Sequence, residues 1–595
     1  MNKRKWLAAG LVAVSALALA ACGNKSSNGP TAKPASMQST YSATGPANGN
    51  NSTLKVAEIN DAPFKGISLA VLQDNAEDQD VYSPGGEDQL FNNDKNFKIT
   101  DGGLANQRLN NSAKTDTITL RSDAKWSDGS KVTARDIEYP YEIIANKNTT
   151  SQQYSADFTD IKGMAAYHTG KASTISGFTY PHGQNGNQLV IHFSSMKPAM
   201  KYSGNSFIWG TVAPYEKLKN VPIAKLASAD EVRKNPVFIG PYKLASQVTG
   251  ESTSWVPNKY YYGPAPKIKH ITIQVVSSNN STAAFKSKKF DFNMQTAPSS
   301  QYKNLKAIKG YTLVGTPALS YGYFGFNLGH FDTKTGLNVM DKNAKMGNKN
   351  LRQAMMYALD LTKTYNKLEN GVAWHANTLI PPVFKQYYDA KEPGYNYNMS
   401  KAQSLLKAAG YKKKGKWYVQ PNGKPLTIYY GVMTGSSVSE AIYQYELQQW
   451  HKLGLNVQFT TGKPMEMNSF YSTLQAPKQN KIDIFDAAWS LSSEPTPTQL
   501  YGEDAPFNSG HFVSAKNTQL MNNMNNSKAF NESYRIKQFY AWQKYMNQQA
   551  AYVPDEFSLN YTPVNNRVKN FNKAAWYITL PQFWDNLGLT SSSMK

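Results

Sequence analysis

A mixed α/β chain built from several domain-sized units is the fold class that the sequence predicts, on three observations. Residues Thr117 to Arg121 (TITLR) alternate in the manner of a half-buried strand. Leu351, Ala354, Met355, Ala358 and Leu359 fall at i, i+3, i+4, i+7 and i+8, which is one apolar helical stripe. From Leu54 onward strand-like and helix-like runs intermix irregularly, without a repeat at a period of roughly 20–50 residues, and this leaves α/β and α+β both open. The length of 595 residues allows about two to four such units.

In chain order, Lys3, Arg4 and Lys5 form a positive start, and Trp6 to Ala20 is an apolar stretch too short to cross ~30 Å of hydrocarbon comfortably. Residues 1–21 therefore read as an export signal. It ends in Leu19-Ala20-Ala21-Cys22-Gly23, which resembles the lipobox of bacterial lipoproteins, and Cys22 is the single cysteine of the chain. On that likeness the Cys22 thiol carries acyl chains such as palmitate, each buried methylene contributing about 0.8 kcal/mol to anchoring on the outer face of the cell membrane. From Cys22 to residue 52 the chain is dominated by Asn, Ser, Gly, Ala, Pro and Thr, the composition of a disordered tether.

The body follows. After the strand at Thr117, Asp128-Gly129 predicts a turn, and Thr133 can cap a helix containing Asp136, Ile137 and Tyr141, with Pro140 early in it or bending it. Strand-like runs lie at Ile268 to Val276, Leu426 to Tyr430 and Leu455 to Thr460. Helices are expected from Asn350 to Leu361 and from Ser400 to Ala409, the second with capping-box spacing between Ser400 and Gln403 and with Gly410 ending it.

The balance of 64 Lys+Arg against 41 Asp+Glu gives a net charge of +23. The lysines are scattered, with one short run at Lys412-Lys413-Lys414, so attraction to anionic lipids and wall polymers fits better than nucleic-acid binding. One cysteine excludes disulfides, zinc ribbons and iron–sulfur sites. No H-E-x-x-H, G-x-S-x-G, Walker loop or G-x-G-x-x-G after a strand occurs, and the eight histidines show no i, i+4 pairing. No catalytic residue, metal site or cofactor is expected.

Several segments, in order, resemble the oligopeptide-binding lipoproteins of ABC importers, in the peptide/nickel class of extracellular solute-binding proteins. The most specific is Thr117 to Glu138, TITLRSDAKWSDGSKVTARDIE, with its W-S-D-G turn. PVFIGPYKL stands where that family usually has G-T-G-P-Y, followed by WVPNKYYYGPAPKIKHITIQVV and FKSKKFDF. YFGFN, NKNLRQAMMYALD, the pair Pro381-Pro382, AAGY after Ser400 and IDIFDAAWSLSSEPTP complete the likeness, which covers nearly the whole mature chain.

The resemblance implies a bilobed periplasmic-binding-protein-like fold with two crossover segments, closing on ligand in an interlobe cleft. It sets lobe one at 53–300 with an extra subdomain at about 101–230, lobe two at 301–545, and a return to lobe one at 546–595. It implies a non-enzymatic, monomeric receptor that delivers oligopeptides to the transmembrane subunits of an ABC permease. The alternatives are the same fold binding a peptide pheromone, an oligosaccharide or a nickel chelate, or a basic surface adhesin.

A receptor for varied peptides takes its affinity from shared backbone groups and from aromatic walls. Motif position nominates Tyr323, Phe324, Phe326 and Asn327, a core strand being the plainer reading for Phe324 and Phe326. It also nominates the loop Trp489, Ser490, Leu491, Ser492. Many members carry, three residues after that tryptophan, an aspartate that pairs with the peptide amino terminus. Here Ser492 holds that position, so Asp486 or Glu494 substitutes or the terminus is unclamped. Trp374 and His375, and Tyr501, His511 and Phe512, are further candidates.

Overall fold

The computed structural model describes residues 34–60, 62–479 and 481–595. Cys22 and the export segment lie outside the described residues. The chain divides into two units. The first takes Ser36–Thr316, Ser492–Glu494 and Asn560–Lys595; the second takes Pro317–Leu491 and Pro495–Leu559, with residues 34–35. The chain passes between them inside the strands Tyr311–Pro317 and Tyr552–Asn565, later than the expected 300 and 545. A continuous strand shows no shift of composition at its middle, so a search for linkers cannot find such a boundary.

In the first unit a five-stranded sheet has the order Phe292–Asn293, Thr53–Ile59, His270–Val276, Ser252–Pro257, Tyr242–Val248. Thr53–Ile59 runs parallel to its neighbours, with Leu54 and Val56 fully buried. An antiparallel sheet of Ala105–Asn110, Thr115–Leu120, Gln188–His192 and Phe178–Thr179 packs on a separate apolar core that draws on residues from Ile67 to Ile239. This core spans more of the chain than the 101–230 expected for an extra subdomain.

The W-S-D-G turn is built as its residues dictate. Gly129 adopts φ +95° and donates to the Trp126 carbonyl at 2.9 Å, Asp128 accepts from the Ser130 amide, and Trp126 is buried beneath. The helix Ala134–Ala145 starts at Thr133 in a capping box with Asp136, and Pro140 sits at its middle rather than early. The proline cannot donate to the Asp136 carbonyl, and the Ala213 amide fills that vacancy at 3.0 Å.

Residues 36–52 are not part of a tether. Thr40–Tyr41 pairs with Phe571–Asn572, Ala43 donates to Val568 and Gly49 to Leu589, both at 2.9 Å, and Asn50 accepts from Leu589. Backbone pairing, rather than apolar burial, holds this polar strip down, which is why composition misjudges it.

In the second unit Ser320–Phe326 lies between antiparallel Ile484–Ser490 and Tyr552–Asn565; Thr427–Gly431 and Asn456–Phe459 continue the sheet in parallel, and Ala373–His375 pairs with Tyr552–Asn565. The expected helix from Asn350 to Leu361 is two, Lys349–Tyr357 and Leu361–Leu368, because Asp360 caps a new start. The next helix, Met399–Ala408, is capped by Asn398, whose side chain accepts from the Lys401 amide, rather than by Ser400. Gly410 follows it at φ +81°.

Candidate functional site

The central strand Ser320–Phe326 sets two opposite faces. Register places Tyr321, Tyr323 and Gly325 beside Trp489, Ala487 and Phe485, and Gly322 and Phe324 beside Ala488 and Asp486. The first set builds an aromatic wall. Tyr323 stacks on Trp489 with ring centres 6.2 Å apart and planes at 10°, and Phe507 meets Trp489 edge-on at 5.4 Å. Behind them, the Tyr321 and Tyr501 hydroxyls share a 2.7 Å hydrogen bond, and Tyr501 packs against Tyr552 at 4.6 Å. Gly325 is required here, since a Cβ would stand 2.1 Å from the Phe485 ring.

Trp489 is half-buried and its indole Nε1 is buried without a partner, while Phe507 is 46% exposed, so this wall keeps an open edge. Ser490 is exposed and Leu491 half-buried. Ser492 and Glu494 belong to the first unit, where Ser492 is exposed and its hydroxyl donates to the Glu494 carbonyl at 3.1 Å. Tyr501 and Phe512 are buried. Asn508 holds their loop, its amide donating to the Phe512 and Gly502 carbonyls and its oxygen accepting from the Tyr552 hydroxyl at 2.6 Å. His511 bonds Asn338 at 2.7 Å, and burial pushes its pKa down to about 4.

Phe324 and Phe326 have no accessible surface: Phe324 packs on Tyr430 and Trp450, so the core reading holds for both. Asn327 serves the turn after the strand, donating to the Gln479 and Ile482 carbonyls and accepting from the Gly329 amide. Trp374 is buried edge-on against Phe557. His375 accepts from or donates to Thr362 at 3.0 Å, and desolvation lowers its pKa to about 4, so it is neutral.

The second face carries carboxylates that motif reasoning mostly missed. The pairing of Tyr552–Asn565 with the central strand slips between Gly322 and Tyr323, so that Gly322 faces Glu556 and Tyr323 faces Pro554. Asp555 is thereby the extra residue of a bulge, which turns two consecutive acids toward one side. Asp555 accepts from the Tyr365 hydroxyl at 3.1 Å, and Glu446 from the Tyr430 hydroxyl at 2.6 Å. Asp486, half-buried, stands opposite Phe324 on the same face. Desolvation raises all four carboxyls and their mutual repulsion raises Asp486 and Glu556 further; Asp555 reaches about 7, and Glu446, Asp486 and Glu556 lie well above the ordinary range.

Signals for this set exist in the sequence. Glu446 interrupts the stripe Ile442, Trp450, Leu453, and Asp555-Glu556 are the only two charged residues of the strand Tyr552–Asn565, directly after Tyr552, Val553 and Pro554.

Comparison with known proteins bears on what these faces serve. Residues 101–510 match the family described as bacterial extracellular solute-binding proteins, family 5 middle. The chain is 40% identical over 601 residues to the oligopeptide-binding protein OppA of Lactococcus lactis subsp. cremoris (strain SK11), with 100% of each covered. It is 24% identical over 448 residues to the oligopeptide-binding protein AppA of Bacillus subtilis (strain 168), covering 75% of this chain and 74% of that one. A solved structure of lactococcal OppA, complexed with an endogenous peptide in the closed conformation, superposes with a TM-score of 0.80 at 40% identity, over 91% of this chain and 100% of that one.

Proposed function

The chain belongs to the family 5 extracellular solute-binding proteins, and from that premise we propose that it captures oligopeptides outside the cell membrane and delivers them to an ABC importer, held to the membrane by a lipid on Cys22. It is a binding protein and not an enzyme. One observation carries the ligand class: the likeness to the oligopeptide-binding protein OppA of Lactococcus lactis runs the full length of both chains at 40% identity. The aromatic wall supports it, since stacked tyrosine and tryptophan offer broad contact with few rotatable bonds and suit varied side chains.

Contact with peptide falls on Trp489, Ser490 and Leu491, with Tyr323 setting the angle of the indole, and on Ser492 and Glu494. With serine at 492 the peptide amino end has no carboxylate at the usual motif position, which favours tolerance of peptide length. Closure on ligand would favour one conformer of an exchanging pair, and the permease would recognise that conformer.

Native mass spectrometry of the mature protein tests the ligand class. Copurified peptides of mixed sequence are the expected result, and one homogeneous non-peptide ligand would overturn it. The anchor is tested separately: Cys22→Ala should move the protein from the membrane fraction to the medium.

A further inference from the structure

We infer that the acid face made by Glu446, Asp486, Asp555 and Glu556 is a subsite for a cationic group of the bound peptide, an ammonium or guanidinium carried by a side chain or by the amino end. The inference rests on the peptide reading and deepens it.

Four carboxylates from three separate elements, Ser437–Leu453, Ile484–Ser490 and Tyr552–Asn565, meet on one side of the sheet. None of the four is ion-paired among the described residues, and each is repelled by, or repels, another of the set. The nearby imidazole, His375, is neutral and offers no compensation.

The deep oxygens point to a missing partner. Glu446 and Asp555 are 0% and 3% exposed, and Oε1 of the one and Oδ1 of the other are buried without any hydrogen-bond donor. An unmatched buried acceptor costs free energy unless a ligand supplies the donor. Gly322 lets the carboxylate lie against the strand, since a Cβ there would stand 2.5 Å from Asp555 Oδ1. Access is open as well, since Asp486, Glu556 and Tyr443 are only half-buried and Ala488 is exposed.

The class of cation follows from the surroundings. Among the described residues no group of three or more His, Cys, Asp or Glu is arranged to hold a metal ion, so the carboxylates border a face rather than a cage. Tyr430, Tyr443 and Tyr365 stand among them, and aromatic faces beside carboxylates suit an organic cation on an apolar stem. A stem of methylenes could lie along the rings while its charged end reaches Glu446 and Asp555.

The test uses calorimetry on the mature protein freed of copurified ligand. The probes are nonapeptides on an alanine–leucine host, with lysine or uncharged norleucine at each position in turn, each made with a free and an acetylated amino end. At one position lysine should bind at least about tenfold tighter than norleucine, as one charge-assisted contact predicts. If the side chain is the source, acetylation leaves that ratio intact. If the amino end is the source, the tenfold gap instead separates free from acetylated peptides.

In either case the ratio should fall below about threefold in Glu446→Gln and in the half-buried Asp486→Asn, whose folding is checked by calorimetric melting. No preference for charge at any position, with norleucine peptides still bound, would overturn the inference and leave the peptide reading standing. A preference that survives both substitutions would overturn it too. Failure of every peptide to bind would remove the peptide reading and this inference together.

Discussion

Asp291 in the first unit and the acid face in the second are both buried, and the chain treats their charge in opposite ways. Arg567, 1% exposed, grips Asp291 with two bonds of 2.7 Å and spends its remaining donors on the carbonyls of Thr53, Ser591 and Ser592. Asp291 accepts from the Lys55 amide besides. Every strong donor and acceptor there has a partner, and the pair ties the strand Thr53–Ile59 to the C-terminal residues. Glu446 and Asp555, equally buried, have tyrosine hydroxyls on one oxygen and nothing on the other. The matched Asp291 serves the fold, whereas an unmatched buried oxygen costs stability; Asp78 Oδ2 and Asp116 Oδ1 in the first unit carry that cost singly, and on the acid face four carboxyls with raised pKa values carry it together.

The sharpest way to break this contrast is Arg567→Met, which strands Asp291 in the core. A loss of about 3–5 kcal/mol in unfolding free energy is expected, much of it regained in Arg567→Met/Asp291→Leu. Denaturant titration of both variants reads the effect. Equal losses in the single and double variants would show that packing, not charge, is what Arg567 supplies.

On the acid face the sign reverses. Asp555 has a folded-state pKa of about 7 against roughly 4 for an ordinary carboxylate, so its contribution to stability is complete below pH 4 and is lost as pH rises through 7. Its raised neighbours extend the loss to higher pH. In ligand-free protein Asp555→Asn should therefore stabilise by about 2–4 kcal/mol at pH 8 and by almost nothing at pH 4. Unfolding at the two pH values checks it, and a parent and variant that respond alike would remove the proposed burden.

Gly322→Ala probes the same spot more gently. The added methyl meets Asp555 Oδ1 at 2.5 Å and must push it aside, for a cost of about 1–2 kcal/mol. Peptide-free melting curves suffice, and an unchanged midpoint would mean that the carboxylate moves freely.

What was legible in the sequence was local. The W-S-D-G turn, the capping of the helix at Thr133 and the strand Thr427–Gly431 all follow from contiguous residues, whereas Trp489 and Ser490, expected in a loop, end the strand Ile484–Ser490. The partners of Trp489 are another matter, because Tyr323 and Phe507 come from distant segments, one brought to it by the sheet register and the other by the loop after the strand. Pro140, expected early in its helix or bending it, sits at the middle, and the distant Ala213 amide takes the carbonyl that it leaves free. The acid face was the least visible. A bulge, not a motif, turns Asp555 and Glu556 to one side, and nothing in a local pattern announces where a register slips.

The docking of residues 36–52 against Val568 to Leu589 changes how far the protein can stray. Covalent geometry bounds the distance from Cys22 to residue 52 at roughly 100 Å, and from Cys22 to the described residue 34 at about 40 Å. With the lipid anchor proposed above, that shorter radius confines the receptor to a thin shell over the bilayer. It raises the local concentration of receptor at its permease, so that encounter becomes a search across a surface rather than through a volume.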